Sequence, residues 1–179
     1  MRRGTALALA LLLPGCVGER EARHEGDRLD ALLAFDKPSQ CEVGPKLEHL
    51  LKTLLRDTTE EPVVVGPVEV PQEFAAQVGR PTVQRDGDEY TATVPLAGRW
   101  LGLSMDSVSV QGFKGGDGAG FFITVRAPSA ALIAALNRAG FDAPLAGERH
   151  ASPPDEGEWW GMSVKSEGLK SSLRCALHD

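Results

Sequence analysis

The sequence predicts an α+β fold in which a mostly antiparallel, twisted sheet, built from hairpins, packs against helices. Segments of alternating apolar and polar residues occur in neighbouring pairs joined by turn-forming residues, which is the pattern of β-hairpins. Other segments carry apolar residues at the spacing of an α-helix. Helices and strands do not alternate along the chain, so a parallel sheet of βαβ units is disfavoured.

Periodic apolar residues predict three helices, over 27–35, 45–56 and 129–139. In the second of these, Pro45 suits the first turn, and leucines at i, i+3, i+4, i+7 and i+8 form a continuous apolar stripe. In the third, Gly140 suits a left-handed helix stop, against which Phe141 can pack. The apolar residues that define the three helices are Leu29, Leu32 and Leu33, then Leu47, Leu50, Leu51, Leu54 and Leu55, and then Leu132, Ile133 and Leu136.

Alternating segments predict three hairpins: 82–85 with 88–94, 107–113 with 120–127, and 159–165 with 171–177. The first turns at Asp86-Gly87, a favoured two-residue hairpin turn, the second through a glycine-rich loop, and the third around Glu167-Gly168. The segment 68–70 is strand-like but flanked by prolines, which indicates an edge strand or an extended arm. The proline-containing stretch 143–157 is expected to be a loop.

The first 16 residues have the order of a secretory signal. Arg2 and Arg3 precede a short apolar run, which ends in Leu13-Pro14-Gly15-Cys16. This ending resembles the lipobox of bacterial lipoproteins. The resemblance implies that Cys16 becomes the first mature residue and carries a lipid, and that Val17 directs the protein to the periplasmic face of the outer membrane. An ordinary cleaved signal with an accidental cysteine is the alternative.

The lipoprotein resemblance divides the chain into three parts. We expect a signal peptide over 1–15, the lipidated cysteine and a flexible tether over 16–26, and a single α+β domain over 27–179. The tether is assigned because its residues are polar and lack apolar periodicity. The apolar run of the signal is much shorter than the roughly 20 residues that a membrane-spanning helix needs.

Cys41 and Cys175 are the two cysteines that remain once Cys16 is assigned to the lipid. Two cysteines in an oxidising compartment predict one disulfide. Zinc binding and free thiols are the alternatives, although neither cysteine has a second ligand at motif spacing. Because Cys41 precedes the leucine-striped helix and Cys175 alternates with Leu173 and Leu177, the bond would tie the start of that helix to the last strand.

The formal net charge is −6, and residues 1–15 contribute two arginines and no acid, so the remainder carries −8. An acidic surface disfavours nucleic acid and anionic lipid, and it favours a basic protein partner. The membrane is therefore expected to be contacted through the lipid anchor.

Motifs for catalysis, cofactor binding and metal binding are absent from the sequence. The glycine-rich stretch 114–120 places its lysine before the glycines and leads into a strand, unlike a phosphate-binding loop. The acidic run 86–89 lacks the ligand spacing of a calcium loop. We therefore expect a protein that is not an enzyme and has no cofactor or metal, while a periplasmic enzyme stays an alternative because active sites can assemble from distant residues.

The strongest pointer to a binding site is the parity of aromatic residues in the predicted strands, because adjacent residues face opposite sides of a sheet. Core positions for Trp160, Phe121 and Val110 place three aromatic residues on the opposite, wetter face: Trp159, Phe122 and Phe113. Exposed aromatic residues in a patch are typical of partner-binding surfaces. The alternative is that a helix or loop covers them.

These observations predict a lipid-anchored envelope protein that binds a protein partner. One specific version is an immunity-type inhibitor of a basic toxin or a cell-wall hydrolase, which is an analogy based on compartment alone. An accessory lipoprotein in envelope assembly is the second reading, and a periplasmic enzyme or small-ligand carrier is the third.

Overall fold

The computed structural model describes residues 28–54, 67–113, 118–151 and 159–178. The predicted signal peptide and tether, with Cys16, lie outside these residues. The fold class is confirmed, since a large antiparallel sheet packs against helices. Among the described residues, no helix has the length and apolar character needed to cross a membrane.

The described residues form two sheets. A small one pairs β1 (Phe35–Lys37) with β2 (Glu42–Val43). The large one contains β3 (Thr82–Asp86), β4 (Glu89–Pro95), β5 (Arg99–Trp100), β6 (Leu103–Phe113), β7 (Gly118–Val125), β8 (Glu148–His150), β9 (Trp159–Glu167) and β10 (Lys170–His178). Its strand order is β3-β4-β6-β7-β10-β9-β8, and β5 pairs with the start of β6. Every pairing named here is antiparallel.

Within the described residues there are two α-helices, α1 (Pro45–Leu54) and α2 (Ser129–Arg138), which confirm the second and third predicted helices. Residues 55 and 56 of the second prediction lie outside the described residues. Two short 3-10 helices, Pro38–Gln40 and Gln72–Gln77, precede α1 and β3. The predicted stop of α2 is also confirmed. Gly140 has φ +87°, and the Phe141 N–H donates to the Leu136 carbonyl at 3.1 Å while its ring is buried.

The helix predicted over 27–35 is wrong, although Leu29, Leu32 and Leu33 are buried as expected. The N–H groups of Leu32 and Leu33 both donate to the Leu29 carbonyl, at 3.0 and 2.8 Å, which makes a single turn. That turn is held by the β5 region, because the Leu29 N–H donates to Arg99 O at 2.7 Å and Asp30 Oδ1 accepts from Leu101 N at 2.8 Å. Tertiary hydrogen bonds therefore override the helical spacing.

The loop predicted over 143–157 needs correction, because it contains the edge strand β8, in which Glu148 pairs with Ser163 of β9. For the segment 68–70, the edge-strand alternative is wrong, since it pairs with no strand among the described residues, and the extended-arm alternative is left. Its central residue, Glu69, donates its N–H to Thr53 Oγ1 at 3.2 Å. Local sequence patterns encode neither the β8 pairing nor this contact.

The three predicted hairpins are confirmed as β3–β4, β6–β7 and β9–β10. Two of the turns are shifted by one residue from the expected positions, because Asp86 pairs with Glu89 and Glu167 pairs with Lys170. The glycine therefore occupies the first turn position, with φ near +62° in both cases, while the following residue has negative φ. That combination is typical of a type II′ turn.

One hydrophobic core joins the helices to one face of the large sheet. The side chains that meet there include Leu47 and Leu50 from α1, Leu132 and Leu136 from α2, and Ala92, Val108, Ile123, Met162 and Leu173 from five strands. The Cys41–Cys175 disulfide is confirmed inside this core, with the two Cα atoms 6.0 Å apart. It ties the chain just before α1 to β10, near the middle of the sheet.

Candidate functional site

The sheet face that points away from the helices is the candidate site, and we call it the open face. Strand alternation directs one set of side chains into the core and the other set to this face. On the five inner strands β4, β6, β7, β10 and β9, the open face includes Glu89, Thr91, Thr93, Ser107, Ser109, Gln111, Phe113, Phe122, Thr124, Ser163, Lys165, Glu167, Ser172 and Arg174. In the described part of the chain, the buried residues of both α-helices pack on the opposite face.

Hydroxyl groups dominate the open face. Two cross-strand pairs bond to each other, Thr93 with Ser109 at an Oγ1–Oγ distance of 2.8 Å and Thr124 with Ser172 at 2.9 Å. Each hydroxyl can still accept a further hydrogen bond. Because most of these side chains are short, the face suits a broad contact with another protein better than a deep ligand pocket.

The structure places two of the three predicted aromatic residues on this face. The Phe113 side chain is 44% exposed, and Phe122 is half-buried beneath Arg174, whose guanidinium carbon is 5.7 Å from the ring centroid. Because Phe122 pairs with Ser109, the two phenylalanines lie roughly 13 Å apart along the strands and do not form one cluster. Their role in binding a partner stays a prediction.

The two tryptophans of β9 were predicted to face opposite sides of the sheet. Trp160 packs against the core, with its ring centroid 6.1 Å from that of Phe121. Trp159 begins the strand opposite His178, and its side chain lies outside the described part of the structure. The prediction that Trp160 faces the core therefore agrees with the fold. The prediction that Trp159 faces away from it depends on the sequence alone.

In the part of the chain that the structure describes, three buried polar atoms on the open face have no hydrogen-bond partner: Gln111 Oε1, Ser163 Oγ and Arg174 Nε. Unpaired buried polar atoms are few in native proteins, and each costs about 1–3 kcal/mol when left unsatisfied. None of these residues stood out in the sequence. Strand alternation could have assigned them to this face, and the register of the β9–β10 hairpin places Ser163 beside Arg174.

An ion cluster closes one end of the open face and joins three strands. Asp106 of β6 accepts from Arg126 Nε at 3.0 Å and from Lys170 Nζ at 2.8 Å. Burial by itself raises the pKa of the Asp106 carboxyl, but the two hydrogen bonds and the positive charges that make them outweigh it and hold the pKa below its ordinary value of 3.8. Arg126 and Lys170 are thus already paired with an anion.

The acidic character of the chain does not come from the described residues. Those residues carry as many lysines and arginines as aspartates and glutamates, so the whole formal charge of −6 comes from the rest of the sequence. The described residues therefore carry no excess negative charge that would support the expectation of a basic partner for the open face.

Other surface features offer less chemistry. A groove of about 760 Å³ is lined mainly by proline, valine and alanine, and at its rim His49 Nε2 lies 3.4 Å from a Glu69 carboxylate oxygen. Within the described residues, no three His, Cys, Asp or Glu side chains cluster in a way that could hold a metal ion. No protein-family model, curated protein or solved structure matches this chain.

Proposed function

We propose that this protein is a lipid-anchored protein of the bacterial envelope, on the periplasmic face of the outer membrane, that binds a protein partner through the open face. The observation that carries the proposal is a broad sheet face that combines an exposed phenylalanine with buried polar atoms that lack partners. Docked protein surfaces pair such atoms and bury such rings. Small substrates usually bind in concave pockets, and a broad sheet face dominated by hydroxyl groups does not resemble one.

The anchor part of the proposal depends on the sequence alone. The Leu13-Pro14-Gly15-Cys16 junction follows a basic and apolar leader. In cells fed labelled palmitate, the wild-type protein should incorporate label and Cys16→Ala should not. Equal labelling of the two proteins would contradict lipidation at Cys16.

Two biological roles suit a partner-binding envelope lipoprotein. One is an immunity-type inhibitor that occupies a toxin or cell-wall hydrolase, and the other is an accessory role in envelope assembly. A neighbouring gene for a secreted toxin would favour the first. The open face itself supports binding in general and is not specific to either role.

Site-specific photocrosslinking tests the binding surface. A benzoylphenylalanine placed at Phe113 lies on the open face, while the same residue at Val83 lies on the opposite face of the edge strand β3. The positions are matched, since the native side chains are 44% and 40% exposed. In native cell envelopes, the probe at 113 should crosslink a defined partner, and the probe at 83 should not. An excess of the protein without the probe should reduce the crosslink from position 113.

Three results of this experiment would count against the proposal. They are no crosslink from either position, equal crosslinks from both, and a crosslink from 113 that excess unlabelled protein does not reduce. The last result would indicate collision with abundant proteins rather than a specific complex.

A further inference from the structure

Arg174 is a half-buried cation that has no polar partner among the described residues. Its Nε atom is buried and makes no hydrogen bond, and no ion pair with a described carboxylate involves the guanidinium. Its contact with the Phe122 ring is the interaction that holds it in place. Taking a guanidinium partly out of water without a counter-ion is unfavourable, so the site is incomplete as it stands.

The neighbours of Arg174 shape a small recognition site. In register across the sheet, Phe122 of β7 and Ser163 of β9 flank Arg174 of β10, and their Cβ atoms are about 5 Å from its own. Ser163 is 5% exposed, and its Oγ has no partner. The Phe122 ring, 5.7 Å from the guanidinium carbon, offers no acceptor atom, so the buried Arg174 Nε–H and the Ser163 hydroxyl are donors that no described residue accepts from.

The charges around this site favour an anion. Lys165 of β9 lies on the same face as Arg174, and Lys170 of β10 and Arg126, directly after β7, lie further along it. The latter two are balanced in part by Asp106, which is bonded to both, and by Glu167, which pairs with Lys170. Among the described residues, the carboxylate nearest to Arg174 in register is Glu148, two strands away at roughly 10 Å. A bound carboxylate would therefore lie closer to Arg174 and Lys165 than to any described carboxylate.

We propose that Arg174 and Ser163, with Phe122 beneath the guanidinium, bind the carboxylate of an Asp or Glu side chain on the protein partner. An arginine fork matches the two oxygens of a carboxylate, and the serine hydroxyl can donate to one of them. The inference rests on the proposed function, because it names the chemistry that the open face recognises. It also reverses the charge preference suggested by the whole-chain composition.

Nuclear magnetic resonance on the full-length protein in a neutral detergent tests the site directly. The probe is an acetylated and amidated pentaglutamate, and pentaglutamine with the same blocked ends is the matched control. The Arg174 Nε–H resonance should shift and saturate with pentaglutamate and not with pentaglutamine. The Nε–H resonances of Arg149 and Arg126, which are already bonded to acceptors, should stay in place.

Two variants separate charge from geometry, with the backbone amide of Ser163 as the reporter. Arg174→Gln should abolish the response to pentaglutamate, and Arg174→Lys should weaken it several-fold because a lysine keeps the charge but loses the fork. No saturable shift in the wild type, or an equal response in Arg174→Gln, would overturn the proposal. Stronger binding of inorganic phosphate than of pentaglutamate would identify a phosphate site and would also overturn it.

The crosslink from position 113 distinguishes this inference from the proposed function. If Arg174→Gln leaves the crosslink undiminished and pentaglutamate causes no shift, the carboxylate site is wrong and the binding face stands. If pentaglutamate shifts Arg174 but position 113 never crosslinks a partner, the carboxylate site stands and the proposed protein partner of the open face is wrong. A crosslink that falls at least fivefold in Arg174→Gln supports both.

Discussion

Arg149 and Arg174 lie two strands apart on opposite faces of one sheet. Arg149 donates several hydrogen bonds, whereas Arg174 contacts an aromatic ring. Among the described lysines and arginines, these two are half-buried and the others are exposed. Arg149 donates to four backbone carbonyls, those of Asp142, His150, Ser39 and Phe141, at 2.8 to 3.0 Å. Arg174 has a ring beneath it and no acceptor within the described residues. The first arginine stabilises the fold through these bonds, whereas the second makes none of them.

This contrast predicts opposite effects on stability. Arg149→Gln should lower the free energy of unfolding by about 2–3 kcal/mol, because several carbonyls lose a charged donor. Arg174→Gln should change it by less than about 0.5 kcal/mol or raise it slightly, since it removes an unpaired cation. Urea unfolding of the two variants measures both values. A loss from Arg174→Gln as large as that from Arg149→Gln would show that Arg174 has a structural role.

The Asp106 cluster predicts a pH-dependent contribution to stability. Its pKa is lower in the folded protein than its ordinary value of 3.8, so its stabilising effect is complete above that value and is lost as the pH falls through the folded pKa. Asp106→Asn should therefore be less stable than the wild type at pH 7, by about 1–3 kcal/mol.

Urea unfolding between pH 7 and pH 2 tests this prediction. The difference between wild type and Asp106→Asn should stay constant down to about pH 5 and shrink at lower pH. Asp88→Asn, in the exposed turn between β3 and β4, is the matched control and should differ from the wild type by less than about 0.5 kcal/mol. A difference between wild type and Asp106→Asn that persists unchanged at pH 2 would contradict the assigned cause.

The Cys41–Cys175 bond should be a major source of stability, because the two residues are 134 positions apart in the sequence. In the chain-entropy account, closing a loop of that length in the unfolded chain contributes about 4–5 kcal/mol. Cys41→Ala/Cys175→Ala should lose most of this amount, and the wild type under reducing conditions should behave like the double variant. Equal unfolding midpoints for oxidised and reduced wild type would argue against it.

The adjacent tryptophans Trp159 and Trp160 of β9 test the prediction that they face opposite sides of the sheet. Trp160→Ala should lower Tm by about 5–15 °C, because it removes a large ring that packs on Phe121 and the core. Trp159→Ala, from the position predicted to face away from the core, should lower Tm by less than about 2 °C. Thermal unfolding of both variants gives the comparison. Equal losses would place Trp159 in the core and remove it from the candidate surface.

Elements defined by local patterns were predictable from the sequence. The hairpins and α2 follow from alternation, turn residues and a glycine stop, and these interactions are close in sequence. The failure at 27–35 has a distant cause, because Arg99 and Leu101 hold the turn that contains Leu29 and Asp30. Two turns lie one residue away from their predicted positions because a two-residue turn can have its glycine at either position. Glycine at the first position favours type II′, and glycine at the second favours type I′.

The candidate site was predictable only in part. Parity within single strands identified Phe113 and Phe122 as residues that point away from the core. The Arg174 and Ser163 pair lies within the predicted third hairpin, although its register depends on a turn that is shifted by one residue from the predicted position. The place of Phe122 beside Arg174 depends on the pairing of β10 with β7, which is long-range and spans α2 and β8. No turn or periodic pattern in the sequence encodes that arrangement, so the unpaired atoms could be recognised only in three dimensions.

The affinity of the crosslinked partner for matched surface variants tests the central claim most directly. Phe113→Ala should weaken binding about thirtyfold, equivalent to roughly 2 kcal/mol, because a binding-site ring is truncated. Val83→Ala, equally exposed on the other face, should change affinity less than about twofold, and neither variant should alter Tm appreciably. Unchanged affinity for Phe113→Ala, or an equal loss for Val83→Ala, would contradict the assignment of the open face as the partner-binding surface.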